Sequence, residues 1–303
     1  MLDLIIIGSG PAGLTAAIYA TRAKLDTLVI EQNFMSGGQI INTYEVDNYP
    51  ALPGISGMDL GIKMREHAEK LGAAFVTETV TSLALGGNIK AVITDKNTYE
   101  AKTVILAMGA NHRKLGVRGE EELIGRGVSY CATCDGAFYK GSDVAVIGGG
   151  DVAVEDAIFL ARICRKVYVI HRRDELRAAK VLQDHLLSLD NVEMVWDSTV
   201  EALEGENQVG AVRVRNVKTD EIRCLHVDGA FIAVGIEPNS ELVKDQVELS
   251  RSGYILAGET CETTVGGVCA VGDIRTKALR QVITACADGA NAVSSVQNYL
   301  LGK

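Results

Sequence analysis

Two short apolar runs, Leu4-Ile5-Ile6-Ile7 and Val144-Ala145-Val146-Ile147, set the rhythm of this chain. Each reads as a strand buried on both faces, because hydrophobic residues follow one another without alternation. A glycine cluster follows each run. Then comes a stretch at helical spacing: 14–22, with Leu14, Ala17 and Ile18 on one side, and 154–163. A second apolar strand closes each unit, Thr27-Leu28-Val29-Ile30 in the first and Val167-Tyr168-Val169-Ile170 in the second. The same strand–turn–helix–strand order appears twice. It predicts an α/β protein with two Rossmann-like, three-layer ββα dinucleotide-binding domains.

The remaining patterns fill in around these repeats. Leu60, Met64, Ala68 and Leu71 fall on one face of a helix over 57–71. Residues 74–100 are rich in β-formers and carry Gly86-Gly87-Asn88, which predicts a small antiparallel meander. Thr103-Val104-Ile105-Leu106 is a further buried strand, closing on Ala107-Met108-Gly109-Ala110. Val212-Arg213-Val214-Arg215 alternates as a strand with one solvated face, and Asn48-Tyr49-Pro50 predicts a turn. Near the end, Val268-Cys269-Ala270-Val271 reads as a strand, Gly272-Asp273 as its turn, and 278–299 as a long helix.

Composition narrows the class. A chain of 303 residues favours two domains, and 47% hydrophobic with 23% charged residues is ordinary for a globular protein. A net charge of −9 argues against nucleic acid as a partner. Seven cysteines form no dense framework and fit a reducing cytoplasm better than secretion. The apolar start lacks a basic n-region, since Arg22 is the first positive side chain. Asp3, the glycines and Pro11 interrupt it, so neither a signal peptide nor a membrane span is expected.

The glycine clusters carry chemistry. Gly8-Ser9-Gly10-Pro11-Ala12-Gly13 sits between strand and helix, where the first glycine makes the turn, the second admits a pyrophosphate and the third packs helix on strand. Free N–H groups at the helix start favour that pyrophosphate. Glu31, 23 residues after Gly8, is placed to bind ribose hydroxyls. Ser36-Gly37-Gly38-Gln39 is a loop that could lie close to a flat ligand. The second cluster, Gly148-Gly149-Gly150-Asp151-Val152-Ala153, repeats the first, but its ribose position is His171, followed by Arg172 and Arg173, with Arg177 on a predicted helix. An acid suits free ribose hydroxyls, whereas arginines suit a 2′-phosphate. The first site is therefore expected to take FAD or NAD and the second NADP.

Cys131-Ala132-Thr133-Cys134-Asp135 is the other chemical stretch. Two cysteines at this spacing can bridge and open, and Asp135 could carry a proton to or from a sulfur. Half of a zinc site or two buried thiols remain alternatives, although no second close Cys or His pair accompanies the first. Cys164, Cys224, Cys261, Cys269 and Cys286 read as core residues, and His67, His112, His185 and His226 as isolated histidines. A hydride donor and a cysteine pair in one chain call for a flavin between them, which assigns FAD to the first site.

Together these segments resemble the low-molecular-weight, bacterial-type thioredoxin reductases along nearly the whole chain. The segments that carry the likeness are Gly8 to Gly13, Gly37-Gly38-Gln39, Cys131 to Gly136, Gly148 to Ala153, His171-Arg172-Arg173 with Arg177, Gly267 to Asp273, and Leu279-Arg280-Gln281-Val282. The resemblance implies FAD bound by Gly8 to Gly13, Glu31, Gly38, Gln39, Asn48 and Gly109. Gly272 and Asp273 would lie at the ribityl–phosphate region, with Arg280, Gln281 and Val282 edging the flavin. It implies that Cys134 faces the flavin, Cys131 attacks the partner's disulfide and Asp135 serves as acid–base. It further implies an FAD domain split over 1–112 and 241–303, an NADPH domain over 113–240, a homodimer, and hinges near 111–113 and 237–239. Thioredoxin is the expected partner. A glutaredoxin-like or peroxide-reducing protein would suit the same chemistry, while a ferredoxin or flavodoxin reductase would need no cysteines. Two departures stand out: Met108 in place of a common threonine, and Ala51-Leu52-Pro53 interrupting a Tyr-Pro-Gly turn.

Overall fold

The computed structural model describes residues 1–43 and 45–302, and it divides into two compact units, Met1–Asn111 with Glu237–Lys303, and His112–Ile236. In the first unit, β1 (Leu2–Ile7) runs into α1 (Pro11–Arg22) and β2 (Thr27–Glu31). Ile5 of β1 lies opposite Leu28 of β2 and Val104 of β6 (Thr98–Leu106), all parallel. Between these strands come α2 (Gly57–Lys70), β3 (Ala74–Thr77), β4 (Val80–Ala84) and β5 (Lys90–Thr94). Ser56 starts α2 by accepting a hydrogen bond from the Asp59 N–H, as an N-cap serine should.

The meander expected over 74–100 is only partly present. β4, β5 and β6 are antiparallel, but β3 leaves them and adds in parallel to β2 at the opposite edge of the sheet. Nor is 103–106 a separate strand. It is the far half of the nine-residue β6, long enough for its first half to pair with β5 and its second half to take another parallel neighbour.

The chain leaves this unit through β7 (Ala110–His112). The second unit is built from β8 (Val128–Ser129), the single turn α3 (Ala132–Asp135), β9 (Asp143–Ile147), α4 (Asp151–Ala161), β10 (Lys166–Ile170), α5 (Lys180–Leu187) and β11 (Val192–Val195). An antiparallel sheet of β12 (Ser198–Glu204), β13 (Ala211–Asn216) and β14 (Ile222–His226) follows, then β15 (Gly229–Ile232) and β16 (Ile236–Pro238). The parallel sheet runs β11-β10-β9-β15-β8. Val144 and Val146 face α4 residues Val154, Ala157 and Ile158, while Ala145 and Ile147 face Leu203, Val212 and Val214 of the antiparallel sheet. Successive side chains of a strand point to opposite faces, so an unbroken apolar strand needs cover on both. That is the ββα layering, and it is an α/β Rossmann-like fold.

The first unit also covers both faces of its parallel strands, with α1 on one and Leu83, Leu85 and Val92 together with Val243, Val247 and Ile255 on the other. Here, however, β4 and β5 continue the same sheet, and the unit is completed by the end of the chain. β17 (Val268–Ala270) joins β6, and α6 (Val282–Leu300) packs on α1. The helix expected from 278 begins only at Val282. Gln281 is extended and caps it, its side chain and that of Thr284 each bonding the other's backbone. The predicted helix carrying Arg177 is absent. Residues 171–179 form a bent loop, held by Arg177 N–H on Gly149 C=O at 2.7 Å and Ala179 N–H on Asp151 Oδ1 at 2.7 Å. These bonds divert the backbone until α5 starts at Lys180.

Candidate functional site

The first glycine turn is defined by what a side chain would strike. Gly8 has φ +101°, a left-handed conformation, and a Cβ there would lie 2.4 Å from Ala107 O. A Cβ on Gly13 would sit 2.0 Å from Gly8 O, so the third glycine lets α1 close on the strand. Around Gly10 the nearest atoms to such a Cβ are the Gly37 and Gly38 backbones, 3.9 Å away. The two glycine loops thus pack backbone against backbone, joined by Gly37 N–H on Ser9 C=O at 2.8 Å. Pro11 is at the first position of α1 and Gly10 caps it without a side chain, leaving the first-turn N–H groups for a ligand. Ala12 is buried beneath the turn, and Gln39 follows Gly38 in a 3-10 turn.

Glu31 is at the end of β2, nearly buried. Its Oε2 accepts from Ser9 N–H and Ser9 Oγ–H, both at 2.8 Å, and its Oε1 from Asn33 N–H at 2.9 Å. Ser9 Oγ also contacts Ser36 Oγ at 2.8 Å, and Arg65 donates to Ser36 while its guanidinium lies 3.4 Å over the Phe75 ring. In the sequence Ser36 reads only as part of a loop, and nothing marks Asn33 or Arg65. No local pattern announces side chains that meet across 29 residues.

The chain end supplies the rest of this site. Asn48 Nδ2 donates to Gln281 Oε1 at 2.9 Å, joining two candidates 233 residues apart. Val282 packs with Leu14, Leu60, Met64 and Cys286. In the unusual Ala51-Leu52-Pro53 segment Ala51 adopts φ +72°, a left-handed conformation that favours glycine, while Leu52 packs onto this same cluster. A Cβ on Gly272 would meet the Ala12 Cβ at 3.1 Å, so the Gly272–Asp273 turn lies against the start of α1. Burial pushes the Asp273 carboxyl up, opposed by the Lys277 and Arg280 charges, and its Oδ1 is buried with no partner among the described residues. The Arg280 Nε is likewise buried without a partner, its guanidinium 4.1 Å over Tyr254. Gly109 leads out of β6, and Asn239 ties this corner by bonding Met108 C=O and Gly109 C=O.

Sequence reasoning missed what holds this turn in place. Asp288, buried on α6, accepts from Arg275 Nη2 at 2.6 Å, Arg275 Nε at 2.9 Å, Lys277 Nζ at 2.8 Å and Gly272 N–H at 2.9 Å. Burial would raise its pKa, but the two cations outweigh that and hold it below the usual carboxylate range. One signal was available, a glycine inside the long helix. A Cβ on Gly289 would lie 2.3 Å from Ala12 O, marking where α6 touches α1.

In the second unit a Cβ on Gly148 would lie 2.5 Å from Ala233 O, and one on Gly149 2.3 Å from the His171 ring. Gly150 has nothing within 4 Å, so the turn is open where a pyrophosphate would approach. Asp151 begins α4, its side chain committed to the loop bond with Ala179; Val152 is exposed and Ala153 buried. His171 is not free on the surface. It is buried against Gly149, and desolvation lowers its pKa, opposed by a hydrogen bond with the Glu175 backbone and helped by the Arg177, Arg173 and Arg172 charges. Its Nε2 has no partner among the described residues. Arg172, Arg173 and Arg177 are exposed on the loop, and no carboxylate pairs with their side chains among the described residues.

Cys131 and Cys134 are joined by a disulfide across α3. Cys131 caps the turn, its C=O accepting from Cys134 N–H and Asp135 N–H. Asp135 Oδ2 accepts from Ser129 Oγ at 2.6 Å, while Oδ1 is buried with no partner among the described residues. Burial raises the Asp135 pKa, and the Ser129 bond partly restrains it. Ahead of the pair, Tyr130 donates to Glu120 at 2.8 Å and stacks on His112. Among the described residues no group of His, Cys, Asp or Glu could hold a metal, which leaves the zinc alternative for this pair without partners. Of the other cysteines four are buried as expected, but Cys224 is exposed on β14, because alternation along that edge strand turns it outward.

Residues 2–289 match the family described as pyridine nucleotide-disulphide oxidoreductases. The chain is 46% identical to a thioredoxin reductase of Bacillus subtilis (strain 168), over 98% of this chain and 94% of that protein. It is also 46% identical to one from Listeria monocytogenes, over 98% and 93% respectively. A solved thioredoxin reductase from Streptococcus pyogenes superposes with a TM-score of 0.95 at 46% identity, covering 100% of this chain and 99% of that one.

Proposed function

Because the chain belongs to the pyridine nucleotide-disulphide oxidoreductase family, we propose that it is an NADPH-dependent flavoprotein disulfide reductase whose protein substrate is thioredoxin. The observation that carries this reading is the disulfide Cys131–Cys134, held in the same unit as a dinucleotide turn bordered by three arginines that pair with no carboxylate among the described residues. The first unit fits FAD. The start of α1 after Gly10 has no side-chain cap and so offers its first-turn N–H groups to the pyrophosphate, and Glu31 is placed for ribose hydroxyls. Asp273 Oδ1 and Arg280 Nε, without partners among the described residues, need a polar partner that a bound dinucleotide would supply. The second unit fits NADPH, with Gly150 open to the pyrophosphate and Arg172, Arg173 and Arg177 available to the 2′-phosphate.

Bound flavin supplies the two-electron link between a nicotinamide and a disulfide. This chain's residues do the remainder. Reduction opens Cys131–Cys134, Asp135 supplies the proton that one sulfur needs, and Cys131 as thiolate attacks the thioredoxin disulfide. Cys134 then displaces the reduced partner from the mixed disulfide and restores the original bond. Among the described residues no helix is long and apolar enough to cross a membrane. We read the protein as a homodimer, as the family resemblance implies, in a reducing cytoplasm, which seven cysteines without a dense framework favour. The test is anaerobic mixing of the yellow holoprotein with NADPH and oxidised thioredoxin. Thioredoxin thiols should form with wild type, and thiol formation that persists in Cys134→Ser would refute the pathway.

A further inference from the structure

We propose that Ser129 is the positioning residue for proton transfer at the cysteine pair, holding Asp135 by one oxygen so that the other exchanges the proton. This rests on the reading of Asp135 as the acid–base group. Ser129 ends β8, paired in register with Phe231 of β15, and its side chain is buried. Its hydroxyl serves both ends of the reactive turn. It accepts from the Cys131 N–H at 3.0 Å and donates to Asp135 Oδ2 at 2.6 Å. A second acceptor, Cys131 C=O, lies 3.3 Å away. A hydroxyl has one hydrogen, and the shorter contact, to the carboxyl oxygen, takes it.

The bond settles which carboxylate oxygen is available. With Oδ2 held by Ser129, the unpartnered Oδ1 is the atom left to take and give a proton. Opening the disulfide consumes two electrons, which come from oxidation of NADPH, and one proton, and it leaves one thiol and one thiolate. The proton leaves Asp135 Oδ1 for a sulfur, and the carboxylate so formed is stabilised through Oδ2 by Ser129. Deprotonation of the thiol that must attack thioredoxin returns a proton to Oδ1. Ser129 need not move in either direction, and the Cys131 N–H stays satisfied throughout.

Other charged groups leave this assignment to Ser129. The 3-10 turn after α3 carries Tyr139, whose pKa is pushed up to about 12 by burial and then by the Asp135 and Asp228 charges. α4, which packs on α3, carries Asp151, Glu155 and Asp156. Asp151 is occupied by Ala179, and Asp156 is raised to about 7 by its own burial and then by Glu155. Within this unit no cation shifts Asp135, so the hydroxyl is the group that restrains it.

The experiment compares wild type, Ser129→Ala and Ser129→Thr as holoenzymes, following thioredoxin reduction by NADPH from acid to alkaline pH, with Asp135→Asn as reference. In Ser129→Ala the rate should fall about ten-fold at neutral pH, less than in Asp135→Asn. The limb that titrates with Asp135 should also move to higher pH, because the carboxylate has lost its donor. Ser129→Thr keeps the hydroxyl and should restore both rate and profile. A lowered rate with an unmoved profile in Ser129→Ala, or a Thr variant that behaves like Ala, overturns the proposal. Ser129→Gly, also without a hydroxyl, replaces the Ala variant if that does not fold. Bleaching of bound flavin by NADPH is recorded in parallel. Its failure in wild type would defeat the reductase reading itself, whereas normal bleaching with an unmoved profile defeats only the role of Ser129.

Discussion

Replacing Asp288 with asparagine tests what holds the two ends of the first unit together. The carboxylate takes four hydrogen bonds, two from Arg275 and one each from Lys277 and Gly272 N–H, and the three charged side chains are between 5% and 8% exposed. Asparagine keeps one acceptor oxygen and turns an NH2 donor toward groups that are all donors. Two buried cations then have no counter-charge, and breaking such a group costs about 3–5 kcal/mol. For a unit of this size each kcal/mol moves the melting temperature by about 2–4 °C, so the expected loss is about 6–20 °C. Thermal unfolding of the holoprotein, read by circular dichroism and by the rise in fluorescence of released flavin, measures it. The pH dependence has a definite sign. The folded pKa of Asp288 is depressed, so its contribution is present above the unfolded value of about 3.9 and is lost as pH falls through the folded one. The gap between wild type and variant should therefore be full at neutral pH and narrow on acidification below about pH 4. A variant melting within about 2 °C of wild type at pH 7 would refute the view that this cluster clamps the Gly272–Asp273 turn to α6.

Three further outcomes follow from the same geometry. Arg172→Ala with Arg173→Ala should lower kcat/KM for NADPH by about a hundred-fold and leave NADH nearly unchanged, since only NADPH carries the 2′-phosphate; equal losses with both would defeat the assignment. Gly289→Ala places a Cβ 2.3 Å from Ala12 O and should cost about 1–3 kcal/mol in denaturant unfolding while weakening flavin retention. A thiol reagent at pH 8 should find one fast thiol in the oxidised protein, Cys224, and two more, Cys131 and Cys134, after anaerobic NADPH. The other four are buried, with Cys261 and Cys269 pushed up to about 12 and Cys164 to about 11, so fast labelling of any of them would contradict the structure.

Much of the fold and of the site was legible in the residues because its signals are local. An unbroken apolar strand must be covered on both faces, a glycine must stand where a backbone oxygen passes within 2.0–2.5 Å of its missing Cβ, and a C-x-x-C spacing lets two sulfurs meet. The glycine and cysteine spacings themselves lie within a few residues, so Gly8 to Gly13, Gly148 to Gly150 and Cys131 to Cys134 announce themselves in order, although the oxygens that Gly8 and Gly148 make room for, Ala107 O and Ala233 O, come from far along the chain. Tertiary contacts decided the rest. Arg177 sits at helical spacing, yet Gly149 and Asp151 claim the backbone of its loop and no helix forms. β3 looks like part of a meander, but the open edge of β2 offers it a full set of backbone partners. Asp288, Arg275 and Lys277 look like ordinary solvated charges until α6 folds back across α1. Desolvation then makes each dependent on the others, and a cost of that kind exists only once the distant segments have met.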